Sequence, residues 1–214
     1  QLLDSNQEKN KLEAMKRLFA LMTMGRDVSA FFPDVVKNVI VDSMEVKKLV
    51  YMYLVTHSED NQELALLSIN SFQKDLKHQS QRVRANAMRA MASLRIPVVM
   101  PLIIRALKTV VKDSSSYVRR AAASSIVKIY KNTPEEKELL VGMIAHLLTS
   151  REPEVLCSSI YAFSQVCPDR YDLLHEHFRH ICELLADFTE WGQIVALDIL
   201  LRYSRHLHRY HRCS

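Results

Sequence analysis

Glycine is scarce in this sequence: there are three in 214 residues, Gly25, Gly142 and Gly192, and none has another nearby. A phosphate-cradling loop, a dinucleotide fingerprint and a turn-rich β fold all depend on clustered glycines, so each is excluded. Long hydrophobic runs are also missing. The longest uncharged apolar stretch, residues 96–104, contains Pro97 and Pro101 and stops at Arg95 and Arg105. It falls well short of the roughly 20 residues that a membrane span needs. The start, Gln1-Leu2-Leu3-Asp4, has no basic segment leading into an apolar one. No signal peptide is legible there, and a cytosolic setting is expected. The cysteines, Cys157, Cys167, Cys182 and Cys213, form no CxxC pair, and two lie in apolar helical runs. That usage suits buried reduced thiols rather than a disulfide framework.

The hydrophobic content of 48% is ample for a core. The net charge of +5 is unevenly spread: residues 1–73 carry −2, residues 74–131 carry +11 and residues 132–214 carry −4. A basic block therefore lies between mildly acidic ends.

Segments with one helical spacing recur, anchored on Val46, Val83, Val118 and Val155. Their separations are 37, 35 and 37 residues, with fainter copies at Leu12 and Ile194. A period near 37 is the signature of stacked supersecondary units. Between the anchors lie second amphipathic segments, 32–41, 62–77, 97–112, 134–149 and 171–187, so each period is a helix pair. Pro97, Pro134 and Pro168 lie near helix starts, where a missing backbone donor costs little. Pro101 falls inside the segment from Pro97, so that helix should begin late or kink. Alanines crowd one side of the helices near Val83 and Val118, allowing close approach. The spacing of Asp113, Val118 and Arg119 looks like the inner turn and second helix of a HEAT repeat. The fold class expected is all-α, an α-solenoid of about six HEAT/armadillo-like helical hairpins. It forms one helical-repeat trunk over residues 1–214, with second helices starting near residues 12, 46, 83, 118, 155 and 194. The two ends read as cut from a longer array.

No nucleophile–base pair or paired acid and base stands in suitable local context, so no catalytic or cofactor-binding residue is assigned and no enzymatic activity or cofactor is expected. The best metal candidate is His175, His177, His180 and Cys182. On a helix, however, residues 175 and 177 point about 200° apart, so the four cannot converge without unwinding. They read as a wet polar face, as does the cluster of His206, His208, His211 and Cys213. The basic block is the stronger candidate. Lys74, Lys77, Arg82, Arg84, Arg89, Lys108, Lys112, Arg119 and Arg120 lie on adjacent repeats and together could meet an anionic surface, lipid or phosphate. The bland reading is that Arg84 and Arg119 pair with acidic residues in the turns. With only Tyr117 and Tyr130 as aromatics in the block, no base-stacking platform exists and no nucleic-acid partner is expected.

Several longer words resemble the N-terminal trunk of the β large subunits of heterotetrameric clathrin-type adaptor complexes. They include Gly25-Arg26-Asp27-Val28-Ser29-Ala30-Phe31-Phe32-Pro33-Asp34, Lys47-Lys48-Leu49-Val50-Tyr51-Met52-Tyr53-Leu54, Asn70-Ser71-Phe72-Gln73-Lys74-Asp75 and Glu190-Trp191-Gly192-Gln193. Arg95-Ile96-Pro97-Val98-Val99 and Cys167-Pro168-Asp169-Arg170-Tyr171 most resemble the branch of adaptor complex three. The resemblance implies a non-enzymatic scaffold that supports vesicle coat assembly, membrane recruitment and cargo sorting to endosomes and lysosomes. Its partners would be the medium, small and second large subunits, with peripheral contact on Golgi or endosomal membranes from the cytoplasmic side. It further implies binding of an Arf-family GTPase in its GTP form through the helix over residues 63–72, with Leu66 and Ile69 as apolar contacts. Leucine and isoleucine at that spacing are equally core residues of any solenoid, and Leu64, Leu67 and Phe72 compete for the buried face. Lys47, Lys48 and Tyr51 carry the same ambiguity. Composition alone leaves a second reading, a HEAT-type binding module using its basic block on an acidic protein or nucleic acid.

Overall fold

The computed structural model describes residues 2–213, and the side chains of all of these except Leu64 and residues 209–213. Every element among them is helical. The chain divides into two compact units, residues 1–106 and 107–214.

In the first unit, α1 (Glu8–Thr23), α3 (Met44–His57) and α5 (Gln81–Met91) lie side by side, and α2 (Phe32–Val36) and α4 (Gln62–Asp75) form a second layer. A 3₁₀ turn over Pro97–Val99 leads into α6 (Met100–Val110). This helix begins late, with Pro101 in its first turn, where no intrahelical donor is lost. In the second unit, α7 (Ser116–Asn132), α9 (Pro153–Val166) and α11 (Glu190–Cys213) pack side by side. Their second layer is α8 (Lys137–Leu148) and α10 (Tyr171–Leu184). Hairpins of this kind, each burying its apolar face on its neighbours, make an all-α fold of the HEAT/armadillo solenoid type.

The period is visible in the backbone. Val46, Val83, Val118 and Val155 are each the third residue of their helix, and all are buried. The next residue in each case donates its N–H to the carbonyl of an extended cap residue: Lys47 to Ser43, Arg84 to Ser80, Arg119 to Ser115 and Leu156 to Glu152. Gln193 likewise donates its N–H to the Thr189 carbonyl at 2.9 Å. The residue of α11 in register with the valines is therefore Gly192, whereas Ile194 is 58% exposed.

Core composition follows from the register. Ala85, Ala87, Ala90 and Ala92 in the first unit, and Ala121, Ala122 and Ala123 in the second, are all buried, which is how alanine-rich faces let helices approach. Tyr53 is fully buried, and its hydroxyl donates to the Val28 carbonyl. Burial pushes its pKa up to about 12. Helix α1 ends in a Schellman motif: Arg26 N–H reaches the Leu21 carbonyl at 3.0 Å and Gly25 N–H the Met22 carbonyl at 3.0 Å. Gly25 has φ +72°, the left-handed region that glycine occupies without a Cβ clash. Cys167 is buried, Cys157 half-buried and Cys182 exposed, all as free thiols. The expectation of buried thiols thus fails at Cys182, which is exposed on α10, while Cys213 lies outside the described side chains.

Candidate functional site

One repeat position organises the turns. In the first unit, Arg84 Nη1 donates to the carbonyls of His78 and Gln79, both at 2.9 Å. In the second, Arg119 Nη1 donates to Asp113 and Ser114 carbonyls at 2.7 and 3.0 Å, and its Nη2 pairs with Glu152 at 2.9 Å. Gln193 Nε2 reaches the Ala186 and Phe188 carbonyls at 3.3 Å each. In these three copies the side chain following the anchor position folds back and staples the turn that precedes its helix. The expectation that Arg84 and Arg119 pair with acids is met at Arg119 through Glu152. Arg84 takes two carbonyls of its own turn through one nitrogen of its fork.

Lys47 occupies the same position in α3, yet it is buried at 4% exposure, as is Asp75 at 5%. Its Nζ lies 2.6 and 2.7 Å from the two Asp75 oxygens, and the Tyr51 hydroxyl donates to Asp75 Oδ2. Burial raises the Tyr51 pKa, with the hydrogen bond to Asp75 as a second cause, so the phenol stays protonated. Its ring meets Phe72 edge-on at 4.8 Å. Lys47 and Tyr51 lie one turn apart on α3, and Phe72 and Asp75 one turn apart on α4, so the triad ties the two helices together. Lys48, by contrast, is exposed.

Each unit has a cleft beside this position. The first, about 440 Å³, is lined by Val39, Ile40, Asp42, Lys47, Ser71, Lys74, Asp75, Lys77, His78 and Gln79. The second, about 550 Å³, is lined by Lys112, Asp113, Ser114, Arg119, His146, Leu147, Thr149, Ser150 and Glu152.

The outer face of α4 is the other candidate. Ala65, Ser68, Ile69, Phe72 and Asp75 form its buried stripe. Leu66 is 39% exposed and Leu67 64%, beside exposed Glu63 and Asn70. The expected pair therefore splits. Ile69 is 4% exposed because it stands four residues from Ala65 and three from Phe72, on the core side. Leu66 reaches the surface, with Leu67 as its exposed neighbour. The Leu64 side chain lies outside those described.

Residues 1–211 match the family model described as the adaptin N terminal region. The chain is an adaptin. It is 51% identical over 203 residues to the AP-3 complex subunit beta of Dictyostelium discoideum, a match covering 95% of this chain and 18% of that protein. The bovine AP-3 complex subunit beta-1 is 46% identical over 205 residues, covering 96% and 19%. This adaptin segment thus spans about a fifth of the length of the curated relatives it matches. Among solved structures, a homology model of the full-length AP-3 complex in an intermediate open conformation matches with TM-score 0.69 and 31% identity, covering 95% of this chain and 34% of that one.

In the adaptin chain the candidate cations have unlike fates. Arg120 pairs with Glu154 at 3.1 Å, and Arg89 is half-buried and bonds Asn86 at 3.3 Å. Lys74, Lys77, Arg82, Lys108 and Lys112 are exposed and have no ion-pair partner among the described residues. The histidines of α10 diverge. His175 Nδ1 bonds the Tyr203 hydroxyl, whereas His180 Nε2 donates to the Ser150 carbonyl at 2.8 Å. Burial lowers the pKa of half-buried His177. His206 stacks on Tyr171 at 4.4 Å, while His208 is exposed; the side chains of His211 and Cys213 lie outside those described. No group of three potential metal-ligating side chains converges among the described residues. No helix of the described residues is long and apolar enough to cross a membrane.

Proposed function

We propose that this adaptin segment is a non-enzymatic scaffold within the β large subunit of a coat adaptor complex, one helical-repeat trunk over residues 1–214 that supports assembly, membrane recruitment and cargo sorting to endosomes and lysosomes. Its partners are the medium, small and second large subunits. It works at the cytoplasmic face of Golgi or endosomal membranes, as a peripheral component. Family membership and the likeness to AP-3 β subunits support the scaffold role. The exposed Leu66–Leu67 pair on α4 carries the more specific part: an Arf-family GTPase in its GTP form docks there through an apolar surface. Ile69 supports that face from beneath. Lys74 and Lys77, beyond the same helix face, add an anionic contact that steers the chain to the bilayer.

The two contacts respond differently to salt. Apolar burial of a leucine, about 1.5–3 kcal/mol, survives moderate ionic strength, while exposed charge contacts fade within a Debye length of about 8 Å at physiological salt. Flotation of the chain on liposomes bearing the GTPase in GTP or GDP form, at low and moderate salt, tests the reading. Recruitment that is GTP-selective and salt-tolerant supports it, and nucleotide-independent, salt-labile binding contradicts it.

A further inference from the structure

We propose that the exposed face shared by α9 and α11 is a docking site for an extended cationic peptide segment of a partner protein, centred on Trp191. The site lies in the second unit and is independent of the GTPase reading of α4. Trp191 is the one tryptophan of the chain, and at 79% it is the most exposed large apolar side chain among the described residues. Its place in the repeat distinguishes it from its exposed neighbour Leu197. Leu197 stands five residues after Gly192, where α7 has Ala123 and α9 has Ile160, both buried. That is a stacking position. Trp191 stands one residue before Gly192, where α9 has Glu154, and Glu154 is exposed although α9 packs against both α7 and α11. Tyr161, six residues after Val155, is 47% exposed in the same flanked helix, and the matching Ser124 and Asp198 are exposed as well. These positions stay open when the repeats stack, so a partner and not a further repeat is what covers them.

Charge selects the partner. Two acids of this face are already engaged, Glu154 with Arg120 at 3.1 Å and Asp198 with Arg202 at 2.8 Å. Glu190, next to Trp191, and Asp187, in the turn before α11, are exposed and have no ion-pair partner among the described residues. Gln193 ties that turn to the first turn of α11 through the Ala186 and Phe188 carbonyls, which keeps Asp187 close to the helix start. An indole flanked by two open carboxylates suits a lysine or arginine, whose cation sits over the ring and meets the acids. Tyr161 supplies a second contact. Cys157 lies against Gly192, and Tyr161 is one turn beyond Cys157 on α9. Helix axes roughly 9 Å apart and a pitch of about 5.4 Å place Tyr161 roughly 11 Å from Trp191. That span is about three residues of extended chain. The ligand is therefore a segment with a basic residue on Trp191 and an apolar one about three residues away on Tyr161.

A lone tryptophan makes the site its own reporter. The test titrates this chain with three peptides: an octapeptide of alternating lysine and arginine, the same peptide with leucine at its sixth position, and octaglutamate. Both cationic peptides should change the Trp191 emission, the leucine peptide should bind more tightly, and octaglutamate should leave the emission unchanged. Calorimetry then ranks variants that lack the fluorophore. Trp191→Ala should weaken the leucine peptide about tenfold and Glu190→Gln/Asp187→Asn about fivefold. Tyr161→Ala should lower the affinity for the leucine peptide about threefold and change that for the lysine-arginine peptide less than about twofold, because only the former places a side chain on the ring. Circular dichroism should show every variant folded, since all four side chains are exposed. Cationic-peptide binding that survives both Trp191→Ala and the acid pair variant overturns the assignment and leaves a diffuse charge contact in its place. Equal binding of octaglutamate, or no binding of either cationic peptide, overturns it as well.

Discussion

Gly192 lies against Cys157: a β-carbon built on the glycine would stand 2.2 Å from the cysteine Sγ and 3.4 Å from its Cβ. The close approach follows from the register, since Gly192 takes the place in α11 that Val155 holds in α9. Adding one methyl there overfills a packed interface. Gly192→Ala should therefore destabilise the second unit by about 1–3 kcal/mol. Cys157→Ala in the same chain should recover part of the loss, because it removes the clashing atom. Urea denaturation of the single and double variants measures the coupling, and purely additive effects would show that the contact does not govern packing.

The Lys47–Asp75 pair is buried on both sides, so removing one partner strands the other. Lys47→Met should cost about 3–5 kcal/mol. Lys47→Met with Asp75→Leu should be markedly more stable than Lys47→Met alone, since two apolar residues leave no orphaned charge. Tyr51→Phe should cost about 1.5–3 kcal/mol, the worth of a hydrogen bond to a charged group. Chemical denaturation followed by circular dichroism ranks the three.

Thiol reactivity should separate the cysteines. Burial pushes the Cys167 thiol up to about 11 and also raises that of exposed Cys182. Only the thiolate is alkylated, and Cys167 is inaccessible as well. At pH 8, iodoacetamide should modify Cys182 before Cys167 and leave Cys167 intact until the chain unfolds, as followed by mass spectrometry of the peptides. Equal rates in the folded chain would contradict the burial of Cys167.

Much of this was legible in the sequence for a physical reason. The valines at a period near 37 mark a position where each repeat must be apolar, and hydrophobic periodicity records that directly. The late start of α6 followed from Pro101. Three things were hidden. Gly192 has no side chain to enter an apolar pattern, so the sixth copy was read two residues late at Ile194. Leu66 and Ile69 share a helical face on spacing alone, and only packing of Ala65 and Phe72 decides that Ile69 turns inward. The Lys47–Asp75–Tyr51 triad joins residues 28 and 24 apart in the chain, beyond any local pattern. Its one visible trace was Asp75, which with Asp113 is one of two acids in a block of thirteen bases.

The most direct measurement compares Leu66→Glu with Ile69→Glu in GTP-dependent flotation, with thermal melting of both variants alongside. Leu66→Glu should melt within a few degrees of the unmodified chain and lose GTP-selective recruitment at least tenfold, since a charge replaces an exposed apolar contact worth about 1.5–3 kcal/mol. Ile69→Glu should lose the fold of its helix pair first, because a buried carboxylate has no partner there. A folded Leu66→Glu chain that still floats with the GTP form as well as the unmodified chain would contradict the assignment of α4 as the GTPase face.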